Sequence, residues 1–84
     1  MMRVHLKYFA SIREAMGCAS ETIETSAHTL AQLRDSLAQR EGPPAEALHR
    51  GKVVRMALNQ NMAEESSELI DGCEVAFFPP VTGG

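Results

Sequence analysis

Asp71-Gly72-Cys73-Glu74-Val75-Ala76-Phe77-Phe78-Pro79-Pro80-Val81-Thr82-Gly83-Gly84 is a strand that runs straight into a tail, and its reading decides the fold. Asp71-Gly72 is a tight-turn pair, because glycine accepts the positive φ that such turns require. Glu74 to Phe78 then reads as a strand, with Val75 and Phe77 on one face and Phe78 on the other. Pro79 and Pro80 fix φ and remove two backbone donors, so the ladder stops and the chain leaves extended. No side chain from Val75 onward is charged, which leaves the terminal carboxylate as the only formal charge. Gly83-Gly84 has no Cβ and passes where any side chain would clash. Six extended residues reach roughly 20 Å, far enough to deliver a carboxyl group into another protein. Such a tail needs a rigid platform behind it.

Working outward, the rest of the chain supplies the pieces of one. Met2, Val4, Leu6 and Tyr8 alternate with Arg3, His5 and Lys7, so Met2 to Phe9 reads as a strand with His5 toward solvent. Phe9 breaks the alternation, a large apolar residue on the polar face. Ser11 to Met16 fits one or two helical turns, with Ser11 as N-cap, Glu14 at the capping-box position and Gly17 as the stop. Ser20 to Thr25 reads as a second strand, which makes an N-terminal hairpin with a wide loop. Thr29 is an N-cap with Gln32 completing a capping box, and Leu30, Leu33 and Leu37 form an apolar stripe that needs a sheet beneath it. Gly42 is expected to cap that helix, Pro43-Pro44 to prevent its continuation, and Ala45 to His49 to make a short turn. Val53 to Leu58 reads as a third strand closed by Asn59-Gln60-Asn61, followed by an exposed loop from Glu64 to Glu68. The expected class is α+β, a mixed sheet with one main helix on one face. If the first and last strands lie side by side at the centre, as in a β-grasp, the tail departs from a rigid base.

Composition narrows the function. The 84 residues make one domain, spanning 1–78, with residues 79–84 as the tail. A net charge of −3 argues against nucleic acid and fits a protein partner of complementary charge. No apolar run approaches the ~20 residues that span a bilayer, so no membrane association is expected. The alternating N-terminus is not a signal peptide, and a cytoplasmic location is expected. Cys18 and Cys73 form no C-x-x-C and read as free thiols, and His5, His28 and His49 lack metal-ligand spacing. No G-x-S-x-G, P-loop or dinucleotide fingerprint is present. Glu64, Glu65 and Glu68 read as a solvated run, and Arg13-Glu14 as a local ion pair.

The reactive group that remains is the terminal carboxylate, ionised at neutral pH with a reference pKa of about 3.3–3.7. A carboxylate is a poor electrophile, so a partner enzyme must activate it as an acyl-adenylate from ATP. It then accepts sulfide as a thiocarboxylate, a thiol as a thioester, or a lysine amine, and the residues leave that fork open. Phe9 and Phe78 both lie opposite the inferred core face. Central pairing of their strands would bring them together as an apolar patch beside the tail exit, with Met62 extending it.

The run from Asp71 to Gly84 resembles the C-terminal signature of the small, sulfur-carrying subunits of molybdopterin synthases. Tyr8-Phe9-Ala10-Ser11-Ile12-Arg13-Glu14 and Leu58-Asn59-Gln60 are similar to other recurrent patches of that family, so the resemblance covers nearly the whole chain. Gly-Gly alone is shared with ubiquitin-like modifiers and thiamine-type sulfur carriers, which are the alternatives, together with a binding module whose tail is inert. Phe77-Phe78-Pro79-Pro80-Val81-Thr82-Gly83-Gly84 is narrower. The resemblance implies a ubiquitin-like β-grasp whose Gly84 is adenylated by an ATP-dependent activating enzyme and converted to a thiocarboxylate with sulfur from a donor enzyme. No cofactor is bound permanently, ATP being used by the activating enzyme. Pro79, Pro80, Val81, Thr82 and Gly83 would thread into the large catalytic subunit, which binds cyclic pyranopterin monophosphate, in an assembly where two small subunits flank a large-subunit dimer. The small subunit is not catalytic alone, and Phe9, Met62 and Phe78 match the docking surface. Position 73, commonly acidic in that family, is here Cys73, a thiol that adds oxidation sensitivity only if exposed.

Overall fold

The computed structural model describes residues 1–80 of the chain; Val81, Thr82, Gly83 and Gly84, with the roles expected of them, lie outside the described residues. Among the described residues the order is β1 (Met2–Tyr8), α1 (Ala10–Met16), β2 (Ser20–Thr25), α2 (Leu30–Ala38), α3 (Pro43–Leu48), β3 (Arg55–Leu58), β4 (Asn61–Ala63) and β5 (Glu74–Phe78). The strands form a single mixed sheet ordered β2-β1-β5-β3-β4. β1 and β5 pair in parallel at its centre, Tyr8 opposite Phe77, and every other pairing is antiparallel. This is the β-grasp arrangement: the strand that precedes the tail has a neighbour on each side.

Alternation in β1 and β5 puts Val4, Leu6, Tyr8, Val75 and Phe77 into the core, each 1 % exposed or less. The stripe of α2 meets them, with Leu30, Leu33 and Leu37 equally buried. Tyr8 and Phe77 stack across the central pair with ring centroids 6.1 Å apart. α2 is the main helix, but α1 and α3 also flank the sheet, where the sequence promised less helix. Cys73 is buried at the start of β5 and Cys18 half-buried, both free thiols. The condition for oxidation of Cys73, exposure, is therefore not met.

Several local expectations are corrected by the backbone. α1 begins at Ala10 with Phe9 as its N-cap, and no side chain caps it, so neither Ser11 nor Glu14 has the assigned role. The chain makes the entry by placing Ala10 at φ 51°, a left-handed conformation no propensity rule selects for alanine. Gly17 does stop that helix, at φ 78°. Gly42 does not end α2, which caps at Gln39; with φ 82° it instead starts α3, whose first two residues are Pro43 and Pro44. Proline at a first turn loses no helical bond, so the pair, which lies beyond the end of α2, opens α3. β3 starts at Arg55, not Val53, because Arg55 pairs with Phe78 and the residues next along β5's side are prolines with no N–H to offer. β4, three residues long, was below the resolution of any alternation rule.

The polar run from Glu64 to Glu68 is not a free loop. It caps α2: Leu30 N–H donates to the Ser67 carbonyl at 3.0 Å and Ala31 N–H to the Glu65 carbonyl at 2.9 Å. Thr29 Oγ1 accepts from Gln32 N–H at 3.2 Å as expected, while Gln32 Oε1 takes the His28 N–H rather than that of Thr29. Glu65 also pairs with Arg34, which is 4 % exposed. Arg34 Nε donates to the Leu48 carbonyl at 2.8 Å, and its terminal nitrogens to the His49 and Lys52 carbonyls and to Glu65 Oε1. One guanidinium thus closes the C-terminal end of α3 and fixes the segment leading to β3. Arg13 and Glu14 are both exposed and form no ion pair with each other among the described residues.

A second polar cluster ties β1, β2 and the end of α2. Tyr8 Oη donates to Glu21 Oε2 at 2.8 Å, and Arg40 grips the same carboxylate at 2.8 and 3.1 Å. The Arg40 hydrogen bonds hold the Glu21 carboxyl below its ordinary value near 4.5, against the opposing pull of partial burial. Burial first, then the hydrogen bond to Glu21, pushes the Tyr8 phenol well above its usual range, so it stays a neutral donor. A lowered folded pKa gives stability that is present above the unfolded value and lost as pH falls through the folded one. Between about pH 6 and about pH 3 the unfolding free energy of Glu21→Gln should therefore decline less than that of the parent. Parallel declines in urea titrations would remove Glu21 from the acid response.

Candidate docking face and tail exit

The platform ends where β5 meets the prolines. Phe9 N–H donates to the Phe77 carbonyl at 3.1 Å, which fixes the residue after β1 against the last turn of the central pair. The left-handed Ala10 then turns the chain away, leaving the Phe9 ring 48 % exposed. Phe78 lies on the same open face of the sheet, and the two rings meet edge to face with centroids 6.3 Å apart. Side-chain parity thus brought Phe9 and Phe78 together as expected.

Met62, 55 % exposed, shares this face but stands apart from them. It is directly opposite Ala57, which is opposite Ala76, so it sits two strands from β5, on the order of 10 Å away. The two alanines make a shallow floor between Met62 and the phenylalanines. Arg55, opposite Phe78, borders that floor and was not singled out by its sequence, since nothing about a lone strand arginine marks it. Asn59 secures the far end of β5: its N–H donates to the Glu74 carbonyl at 2.8 Å and its Oδ1 accepts from Glu74 N–H at 2.9 Å. The Leu58-Asn59-Gln60 patch therefore registers β5 through a turn in which Asn59 and Gln60 both have positive φ, 50° and 70°.

Pro79 and Pro80 are half-buried, and they line a groove of about 400 Å³ with Ile12 and Ala15 of α1, Ala47 of α3, and Val53 and Val54. The root of the tail thus leans on the helical side of the molecule, while the phenylalanine patch faces the other way. Among the described residues no three His, Cys, Asp or Glu side chains gather as a metal site. Phe9, Phe78, Met62 and the alanine floor offer neither nucleophile nor acid. What this region can do is hold a partner's surface and aim the tail. No helix among the described residues is long and apolar enough to cross a membrane.

Comparison with known proteins bears on whose surface that is. A family model described as the ThiS family matches residues 6–84. A molybdopterin synthase sulfur carrier subunit from Haemophilus influenzae is 38 % identical over 81 residues, covering 96 % of this chain and 99 % of that protein. Among solved structures, a molybdopterin converting factor subunit 1 from Pyrococcus furiosus superposes with a TM-score of 0.79 at 29 % identity, covering 96 % of this chain and all of that one. A chain from a complex of subunits 1 and 2 of molybdopterin-converting factor from Helicobacter pylori superposes at 0.68 with 31 % identity, over 99 % of this chain and 100 % of that one. The chain belongs to the ThiS family, with the ubiquitin-like β-grasp fold of the molybdopterin synthase sulfur carrier subunits it resembles.

Proposed function

We propose that this chain is the sulfur-carrier subunit of a molybdopterin synthase, acting in the cytoplasm, with the Gly84 carboxyl as its reactive group. The observation that carries the reading is a full-length match to such subunits, 38 % identical to the Haemophilus influenzae protein, on a chain whose last strand runs from a paired central position into Pro79-Pro80-Val81-Thr82-Gly83-Gly84. The Helicobacter pylori complex of subunits 1 and 2 supports a large subunit as the partner. In the proposed cycle a carboxylate oxygen of Gly84 attacks the α-phosphorus of ATP on the activating enzyme and pyrophosphate leaves. Sulfide, supplied by a donor enzyme, attacks the acyl-adenylate carbonyl and expels AMP, leaving a thiocarboxylate. Phe9, Met62 and Phe78 dock on the large subunit while Pro79 to Gly83 thread the thiocarboxylate to cyclic pyranopterin monophosphate. The acid and base groups for sulfur insertion belong to the large subunit, two copies of which would form the core of a heterotetramer.

The test is the intact mass of the chain after incubation with ATP, the activating enzyme and a sulfide source. The expected product is heavier by the exchange of one oxygen for one sulfur, and a Gly84-deleted chain gives no such species. Absence of the shift with an enzyme active on its own carrier would reject the reading. Isopeptide adducts to lysine in its place would favour a protein modifier.

A further inference from the structure

On the open face of the sheet Arg3, Lys7 and Arg55 stand with Glu24 and Glu74, and Glu64 follows β4 at the edge beside Arg55. Two of the three cations are matched within the face, Arg3 to Glu24 at 3.7 Å and Lys7 to Glu74 at 3.2 Å. Arg55 has no carboxylate within ion-pair distance among the described residues, although Glu64 and Glu65 line the same edge of the sheet. Glu65 is already committed to Arg34.

Position makes that unmatched charge consequential. Arg55 is exposed, lies directly opposite Phe78, and is followed on the same face of β3 by Ala57, so it sits between the phenylalanine pair and Met62. A surface that covers Phe9, Phe78 and Met62 together must also take water from the guanidinium. An uncompensated charge buried in that way opposes association strongly. A carboxylate on the partner converts the same burial into a bidentate, charge-assisted contact that a lysine would not reproduce. We propose that Arg55 sets partner choice: the docking site on the large subunit is an apolar surface with an acidic side chain placed to receive Arg55. The partner's identity rests on the function proposed above; the requirement for a carboxylate comes from this chain's own face.

Titration calorimetry between the full chain and the large subunit from the same organism tests it. Arg55→Glu should bind about 30-fold more weakly or worse, with an unchanged urea midpoint because the side chain is exposed. Arg55→Gln should bind more weakly than the parent, with an affinity that depends less steeply on salt. Changing the facing carboxylate of the large subunit to lysine should restore binding to Arg55→Glu and to no other variant. Parental affinity and salt dependence in Arg55→Glu would overturn the inference while leaving the proposed function standing. Failure of the unaltered chain to bind the large subunit would overturn the function, and the inference with it.

Discussion

Deleting Gly84 should abolish sulfur transfer without disturbing the fold. The truncated chain still ends in a glycine carboxylate of the same intrinsic reactivity, since Gly83 becomes the terminus. What changes is reach, by one residue or about 3.5 Å, first toward ATP on the activating enzyme and then toward the acceptor. Misplacing a reacting group by as little as ~1 Å can cost on the order of 10²-fold, so transfer to the pterin should fall by at least that much. The platform has no reason to notice: β1 to β5 and their contacts are complete by Phe78. Adding one residue after Gly84 should do equal harm by burying the carboxylate inside a peptide bond. Single-turnover sulfur transfer, measured beside a urea titration, separates the two effects. Normal transfer from the shortened chain with an unchanged midpoint would rule out Gly84 as the carrier atom's site.

Replacing Arg34 with methionine should produce the largest stability loss available to a single polar substitution in this chain. The guanidinium, 4 % exposed, is the common partner of the Leu48, His49 and Lys52 carbonyls and of Glu65. Methionine fills much of the volume and satisfies none of them. Glu65 can turn toward water, its side chain being 42 % exposed, so the cost falls on the carbonyls at the end of α3. Stranding buried acceptors at 1–3 kcal/mol each, with partial relaxation, puts the loss at about 3 kcal/mol. For a domain of this size that lowers Tm by about 12–24 °C. Arg34→Lys should recover less than half, because an ammonium cannot span acceptors that a planar fork reaches together. Thermal unfolding followed by circular dichroism measures both variants. A Tm within about 3 °C of the parent for Arg34→Met would mean that the carbonyls find water and that Arg34 is not the clamp the geometry describes.

Much of this architecture was legible because it is written in short-range pattern. The alternation of Met2 to Tyr8, the Thr29–Gln32 start of α2, its Leu30-Leu33-Leu37 stripe and the Asp71-Gly72 entry to β5 each have a local cause, and each appears where expected. The patch was legible for the same reason: Phe9 and Phe78 violate parity on adjacent strands. The features that escaped depend on residues remote from one another. No local pattern distinguishes Arg34 from a surface arginine on a helix, and only the folded chain brings three carbonyls around it. Glu65 read as part of a solvated run, although its backbone and side chain both serve α2. Gly42 was ambiguous in principle, since a glycine between two helices can close the first or open the second. Arg55 acquires meaning only from the strand across from it.

The place of β5 also bears on how the protein is made. Strands β1 and β3 do not touch; β5, formed from Glu74 to Phe78, is what joins them. Its partner β1 lies at the opposite end of the chain, so the centre of the sheet closes only through contacts of very long sequence separation. A polypeptide still emerging from the ribosome holds a hairpin and helices with no sheet to rest on until those last residues are released. A chain stopped before residue 74 lacks the strand that joins β1 to β3. The strand that points the chain toward its tail is thus also the strand that completes the sheet.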